Sequence, residues 1–276
     1  MSQLIAIGGN LQMDGSILED FYERSGGADS RIVIVPTASA MVNGGMQYAQ
    51  QFCDLGAKNR PFTLPVRSRA DAFDEKNIEM VANASGIFFT GGDQLRLTTV
   101  IAGTPILAAI FDRYRAGVVV AGTSAGAAAF GKVMIFKGRS GAAARAGTAQ
   151  FGEGFGFVDQ VIFDQHFHQR NRLGRLIFSV TVHPGSIGVG IDENTAIVVE
   201  DDVFTVIGKN AVTIIDGRTI TESNIDQVKN GELYAVSHLR LTQLTAGSRY
   251  DLGSRAAMIE RMPLHTEPAA DLTEQT

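Results

Sequence analysis

Four short runs carry almost no polar residue: 4–7 (Leu-Ile-Ala-Ile), 31–35 (Arg-Ile-Val-Ile-Val), 86–90 (Gly-Ile-Phe-Phe-Thr) and 118–121 (Val-Val-Val-Ala). A strand apolar at successive positions is covered on both faces, as in a parallel sheet packed between helices. The stretches between these runs are long enough for crossover helices. Residues 45–55, 72–82 and 101–114 combine good helix formers with recurring apolar positions, and they predict such helices. Beyond residue 195 the pattern changes: 195–200, 203–208 and 211–216 are short, β-branched and separated by Asp, Asn and Gly. Those segments predict hairpins or added edge strands, and 231–240 predicts one strand more. The expected architecture is therefore α/β: a doubly wound, mostly parallel sheet with helices on both faces and additional C-terminal β hairpins. Residues 1–265 read as a single domain, and the Pro-, Thr- and acid-containing segment 266–276 as a flexible tail.

Composition narrows the function classes. At 276 residues the chain can bury a substantial core. Its net charge of −5 offers no general attraction for nucleic acid, although a local basic pocket could still select an anion. Cys53 is the only cysteine, in a predicted helix with apolar neighbours, so packing is its expected role; an intrachain disulfide and a multi-cysteine metal cage are excluded. Residues 1–9 begin as a strand, not as a basic region followed by a long hydrophobic segment, and no apolar run reaches transmembrane length. A cytoplasmic location without membrane attachment is expected.

Chemistry concentrates in three segments. In Gly122-Thr-Ser124-Ala-Gly126 a hydroxyl stands between two glycines directly after an apolar strand candidate, which is the pattern of a nucleophile elbow. In residues 163–175 polarity changes abruptly: Asp164, Gln165 and His166 follow an apolar segment and Arg170, Arg172 and Arg175 follow them. If residues 161–163 finish a strand, His166 emerges at the same sheet edge as Ser124; a solvated basic helix face is the structural alternative. In residues 187–196 a Gly-rich apolar run enters a turn carrying Asp192 and Glu193, either of which can orient a histidine or cap local N–H groups.

Together the three segments support an acyl-enzyme hypothesis: His166 takes the Ser124 proton, and Glu193 holds the imidazole tautomer. Oxyanion donors would come from the Ala125 N–H and from the Gly91-Gly92-Asp93 turn, through Gly92 or Asp93. The Gly- and Ala-rich stretch 138–149 reads as a mobile connection that could border the substrate entrance. Asp164, His166 and His168 alternate as metal ligands on one strand face would, but no further ligand completes the set, so no metal is expected. Gly8-Gly9 follows the first strand without either phosphate-cradling glycine motif, so no nucleotide cofactor is expected. An inert α/β binding protein is the alternative from outside catalysis.

The separated motifs Gly91-Gly-Asp-Gln-Leu, Gly122-Thr-Ser-Ala-Gly-Ala, Asp164-Gln-His-Phe-His-Gln-Arg-Asn-Arg-Leu-Gly-Arg and Gly190-Ile-Asp-Glu-Asn-Thr-Ala occur in this order. Their combination resembles the cyanophycinase branch of the serine peptidase S51 family, related more distantly to class I glutamine amidotransferase-like folds. The resemblance implies Ser124 as nucleophile, His166 as base and Glu193 as the acid that orients it. It also implies substrate contacts by Asp93, Gln94, Asp164, Gln165, Arg172 and Arg175, and a homodimer. The implied substrate is cyanophycin, a polyaspartate with arginines on its β-carboxyls, released as β-aspartyl-arginine dipeptides; small aspartyl or β-aspartyl peptides are the alternative.

Overall fold

The computed structural model describes residues 2–11 and 15–260. The expected tail at 266–276 and the last five positions of the expected domain lie outside them.

The apolar runs form strands β1 (Gln3–Ile7), β2 (Ile32–Val35), β4 (Gly86–Phe89) and β5 (Val119–Thr123), joined by the short β3 (Phe62–Thr63). They pair in parallel in the order β1-β5-β4-β2-β3. Side chains alternate between two cores. Ile5, Ile7, Ile34 and Phe88 pack beneath α1 (Ser16–Arg24) and α2 (Met46–Asp54), through Phe21 and Phe52 among others. Leu4, Ala6, Val35 and Phe89 face α3 (Glu75–Ala82), α4 (Gln94–Ile101) and α5 (Pro105–Arg115). Burial on both sides explains why these strands show no polar alternation.

Local chemistry sets the helix limits. Asp74 caps α3 by accepting from the N–H groups of Lys76 and Asn77, and Asp93 caps α4 in the same way with Leu95 and Arg96. The helix expected at 101–114 starts later, as α5, and α4 before it was not expected: α4 stops at Ile101, Gly103 turns at φ 67°, and Pro105 opens α5. Proline lacks the N–H that a continuing helix needs, but at the first turn nothing is lost. Helix α1 was not among the expected helices, although Ile17, Leu18, Phe21 and Tyr22 stand at a helical spacing and share its buried face.

After β5 come the short α6 (Ala125–Ala128) and the hairpin of β6 (Val133–Gly138) with β7 (Ala149–Glu153), so the stretch expected as a connection at 138–149 is the turn of that hairpin. Then follow β8 (Val161–Gln165), α7 (Leu173–Val182), β9 (Ile187–Ile191), β10 (Thr195–Glu200), β11 (Val203–Gly208), β12 (Val212–Asp216), β13 (Arg240–Leu244), β14 (Arg249–Asp251) and β15 (Ala256–Met258). The hairpin β10–β11 joins β1 on its free side, antiparallel, and β14 and β15 extend it. The large sheet is thus mixed. Of its eight pairings among the described residues, four are parallel and four antiparallel, which corrects the expected mostly parallel sheet.

A second sheet of order β13-β12-β9-β8 packs its Phe163, Val189 and Ile214 against Ile197, Val199 and Phe204 of the antiparallel half. Helix α7 covers its other side through Leu176 and Val180. Residues 231–240, expected as a strand, make only isolated bridges at Leu233 and Val236 before β13 begins at Arg240. Among the described residues no single helix is long and apolar enough to cross a membrane.

Candidate active site

The large sheet delivers Ser124 at the end of β5, where parallel strands of α/β folds place their ligands. The turn into α6 is tight. A Cβ on Gly122 would lie 2.5 Å from Phe130 Cζ, and one on Gly126 would lie 2.8 Å from Phe89 Cβ, so both elbow glycines are required by close approach. Ser124 itself sits at φ 53°, ψ −108°, a conformation that costs a non-glycine residue about 1–3 kcal/mol. The strain is held in place by Ser124 N–H donating to Ile7 O at 3.0 Å.

His166 arrives from the second sheet. Strand β8 runs through Gln165, so Asp164 and Gln165 are strand residues, and the histidine is the first residue beyond, at φ 48°. The two sheets meet at the Gly8-Gly9 end of β1. His166 N–H donates to Gly8 O at 2.8 Å, and Asn194 N–H donates to Gly9 O at 3.0 Å. Gly9 lies at φ 105°, and a Cβ there would stand 2.3 Å from His166 Cε1; no other residue leaves space for the ring.

A line of hydrogen bonds results. Ser124 Oγ is 2.9 Å from His166 Nε2, and His166 Nδ1 is 2.6 Å from Glu193 Oε1. With Glu193 ionised, the proton belongs on Nδ1, and Nε2 is free to accept from the serine hydroxyl. Burial pushes the His166 imidazole below its ordinary value; the Glu193 carboxylate opposes that shift, and the Arg170 and Arg172 charges add to it. The ring is therefore neutral and basic at pH 7. For Glu193, burial acts upward, but the hydrogen bonds from Asn10 and His166 outweigh it and hold the carboxyl below the usual carboxylate range. Asn10 Nδ2 donates to Glu193 Oε2 at 2.8 Å, and Glu193 N–H donates to Gln169 Oε1 at 3.1 Å.

The neighbouring carboxylate has a different task. Asp192 is buried, accepts from His168 N–H at 2.9 Å, and lies 3.0 Å from His168 Nδ1. Of the two acids in this turn, then, Glu193 faces His166 and Asp192 faces His168. Asp164, His166 and His168, the alternating trio considered as metal ligands, each turn to a separate partner, and no group of three or more His, Cys, Asp or Glu among the described residues has metal-holding geometry.

The remaining expected residues surround this line. Gly91 borders the serine, since a Cβ on it would lie 3.3 Å from Ser124 Cβ. Ala125 is the first residue of α6 and directly follows Ser124. Gly92 sits at φ 145°, while Asp93 N–H is already given to Ala38 O at 2.9 Å and the Asp93 carboxylate caps α4. Gln94 donates through Nε2 to the backbone oxygens of Ile135 and Phe136, at 2.9 and 3.2 Å.

Asp164, Gln165, Arg172 and Arg175 form one buried cluster. Arg175 holds Asp164 through Nε at 2.6 Å and through Nη2, and Arg172 Nη1 reaches Asp164 Oδ1 at 3.3 Å, Gln165 Oε1 at 2.8 Å and Gln165 O. Two guanidinium groups share one carboxylate. Burial together with the Arg175 and Arg170 charges, against the pull of Asp164, lowers Arg172 to about 10, and its Nε has no hydrogen-bond partner. Such a cluster carries surplus positive charge and suits an anion.

Gly8, Gly9, Asn10 and Gln169 were not singled out as site residues from the sequence. The available signal was Gly-Gly-Asn directly after a buried strand, at the edge where α/β sheets bind ligands.

Comparison with known proteins shows the family. The model of Peptidase family S51 matches residues 4–207. A cyanophycinase of Geminocystis herdmanii is 41% identical over 238 residues, covering 85% of this chain and 87% of the relative. A cyanophycinase of Trichormus variabilis is 40% identical over 247 residues, covering 88% and 82%. The crystal structure of a peptidase from an acI-B1 Actinobacterium superposes with a TM-score of 0.68 at 26% identity, covering 91% of this chain and 97% of that one. A putative peptidase E of Listeria monocytogenes, at 17% identity and a TM-score of 0.51 over 76% of this chain and all of its own, shares the fold.

Proposed function

The chain belongs to peptidase family S51, in its cyanophycinase branch, and we propose that it hydrolyses its substrate through Ser124, His166 and Glu193. The observation that carries this reading is the unbroken line from Glu193 through His166 to a serine held at positive φ.

His166 Nε2 takes the hydroxyl proton as Ser124 Oγ attacks the carbonyl carbon, and Glu193 stabilises the imidazolium that forms. The tetrahedral oxyanion is met by the Ala125 N–H and by the Gly92 N–H; Asp93 would have to release Ala38 O to contribute. The imidazolium then protonates the departing nitrogen as the C–N bond breaks, leaving an acyl group on Ser124. Water attacks that ester, His166 takes its proton, and Oγ leaves with the proton returned.

The substrate in this reading is cyanophycin, cut as an exopeptidase to β-aspartyl-arginine dipeptides. The name of the relatives and the charge of the Asp164 cluster support it: Arg172 and Arg175, oriented by the buried Asp164 carboxylate, suit substrate carboxylates, and Asp93, Gln94 and Gln165 supply acceptors and amides for a guanidinium arm. A cytoplasmic site of action and a homodimer belong to the same proposal. Product-resolved mass spectrometry on the branched polymer and on small β-aspartyl peptides, with Ser124→Ala as control, tests it. Steady dipeptide release from the polymer is expected. Internal fragments ahead of dipeptides would sink the exopeptidase reading, and turnover of small peptides alone would replace the polymer as substrate.

A further inference from the structure

A cavity of about 200 Å³ lies against the turn of the β6–β7 hairpin, with Arg139, Arg145, Thr148 and Arg175 in its wall and no carboxylate among its lining residues. The turn is fixed to the segment that carries His166: Gly141 N–H donates to Asn171 O at 2.6 Å, and Gly174 N–H donates to Gly141 O at 2.9 Å. The cavity therefore borders the Asp164 cluster, with which it shares Arg175. Arg175 is oriented for it. Its Nε and Nη2 are engaged by Asp164, which turns Nη1 the other way; a Cβ on Gly138 in the hairpin would stand 3.2 Å from that Nη1.

Charge in this region is uncompensated. Arg172 and Arg175 share the single carboxylate of Asp164, while Arg139 and Arg145 are exposed on the turn above. Arg145 is steadied by donating through Nη1 to Gly231 O at 3.1 Å, which still leaves it other N–H groups. A guanidinium fork matches a carboxylate, and in a recess the attraction is stronger than in open water. The volume is below the ~300–1,000 Å³ of sites that enclose whole ligands, so it fits an end group.

We propose that this cavity is a second, separate carboxylate subsite, in which Arg139, Arg145 and the free edge of Arg175 hold a free carboxylate of the substrate chain flanking the bond to be cut. It rests on the reading of the chain as a hydrolase of branched aspartate-arginine polymers. There every arginine arm ends in a free carboxylate, so one such group is available beyond the unit engaged by the Asp164 cluster.

The test measures binding, not turnover. A β-aspartyl-arginine oligomer with free arginine carboxylates, and the same oligomer with those carboxylates converted to amides, are titrated calorimetrically into Ser124→Ala protein, with and without Arg139→Ala and Arg145→Ala together. Amidation is expected to weaken binding at least tenfold, the arginine replacements to weaken the free acid at least tenfold, and the two losses not to add. Equal binding of acid and amide, an equal loss for both ligands on arginine replacement, or no binding of the free acid would overturn the subsite. Amidation also removes the carboxylates that the Asp164 cluster would hold, so the subsite is read from the part of the acid–amide difference that the arginine replacements abolish; Arg139→Ala alone, at an exposed turn residue, gives that reading if the double variant folds poorly. Cleavage of the oligomer by the native enzyme is scored separately: turnover without discrimination removes the subsite alone, whereas discrimination without turnover removes the hydrolase reading alone.

Discussion

Asn10 donates its side-chain amide to Glu193 Oε2 at 2.8 Å, on the carboxylate oxygen that His166 does not use. The strand that anchors Ser124 and His166 through Ile7 O and Gly8 O thus also supplies, three residues beyond Ile7, the group that aims the acid. Asn10→Ala removes a hydrogen bond to a charged group, worth about 1.5–3 kcal/mol. A fall in kcat/KM of roughly tenfold to a hundredfold is expected, with the fold intact by circular dichroism; an unchanged kcat/KM would show that Glu193 does not depend on Asn10.

In the proposed mechanism, catalysis by a neutral His166 sets the sign of the pH dependence. Because burial and the Arg170 and Arg172 charges lower the imidazole, it stays unprotonated as pH falls past the usual histidine value of about 6.5. The acidic limb of kcat/KM is expected to have its midpoint below that value. Arg170→Ala removes one of the charges that lower the ring and is expected to move the midpoint upward. A profile with its midpoint at or above the ordinary value, or one indifferent to Arg170, contradicts the assignment.

Strain at Ser124 can be read from stability alone. Ser124→Ala and Ser124→Gly both delete the hydroxyl, but only glycine accepts φ 53°, ψ −108° without cost. The glycine variant is expected to unfold at higher denaturant than the alanine variant, by about 1 kcal/mol or more, against the usual order in which glycine loosens the unfolded chain. The reverse ranking would mean that the elbow stores no strain.

Asp164→Asn leaves Arg172 and Arg175 buried without their shared counter-charge. Breaking a buried ion pair from one side costs about 3–5 kcal/mol. Denaturant unfolding of the substrate-free protein should show a loss of that order. A loss below about 1 kcal/mol would place the carboxylate in water and remove the argument for surplus positive charge beside the site.

Much of the scaffold was legible because burial leaves a plain mark: β1, β2, β4 and β5 are read directly from apolar runs, and Ser124 from the glycines its turn requires. His166 and Glu193 were marked by abrupt changes of polarity after buried strands. What periodicity does not carry is which sheet a strand joins. Nothing in Val-Ile-Phe-Asp-Gln says that β8 pairs with β9 in a second sheet while Ser124 ends a strand of the first. The choice between Asp192 and Glu193 was likewise left open by the residues; in the structure Glu193 faces His166, while the Asp192 carboxylate is taken by His168 and Ala211. Gly9 and Asn10 were not singled out because the role of Gly9 lies in backbone approach to a histidine, and that of Asn10 in a side-chain bond to a glutamate, each more than 150 residues away, which local pattern does not encode.

The central claim is a covalent one: Ser124 carries the acyl group. Rapid acid quench of enzyme turning over a β-aspartyl-arginine substrate, followed by peptide mass mapping, tests it most directly. The account predicts an added mass equal to the acyl fragment on the peptide containing Ser124, absent in Ser124→Ala. Turnover retained in Ser124→Ala, or an adduct mapped to any other residue, would contradict it.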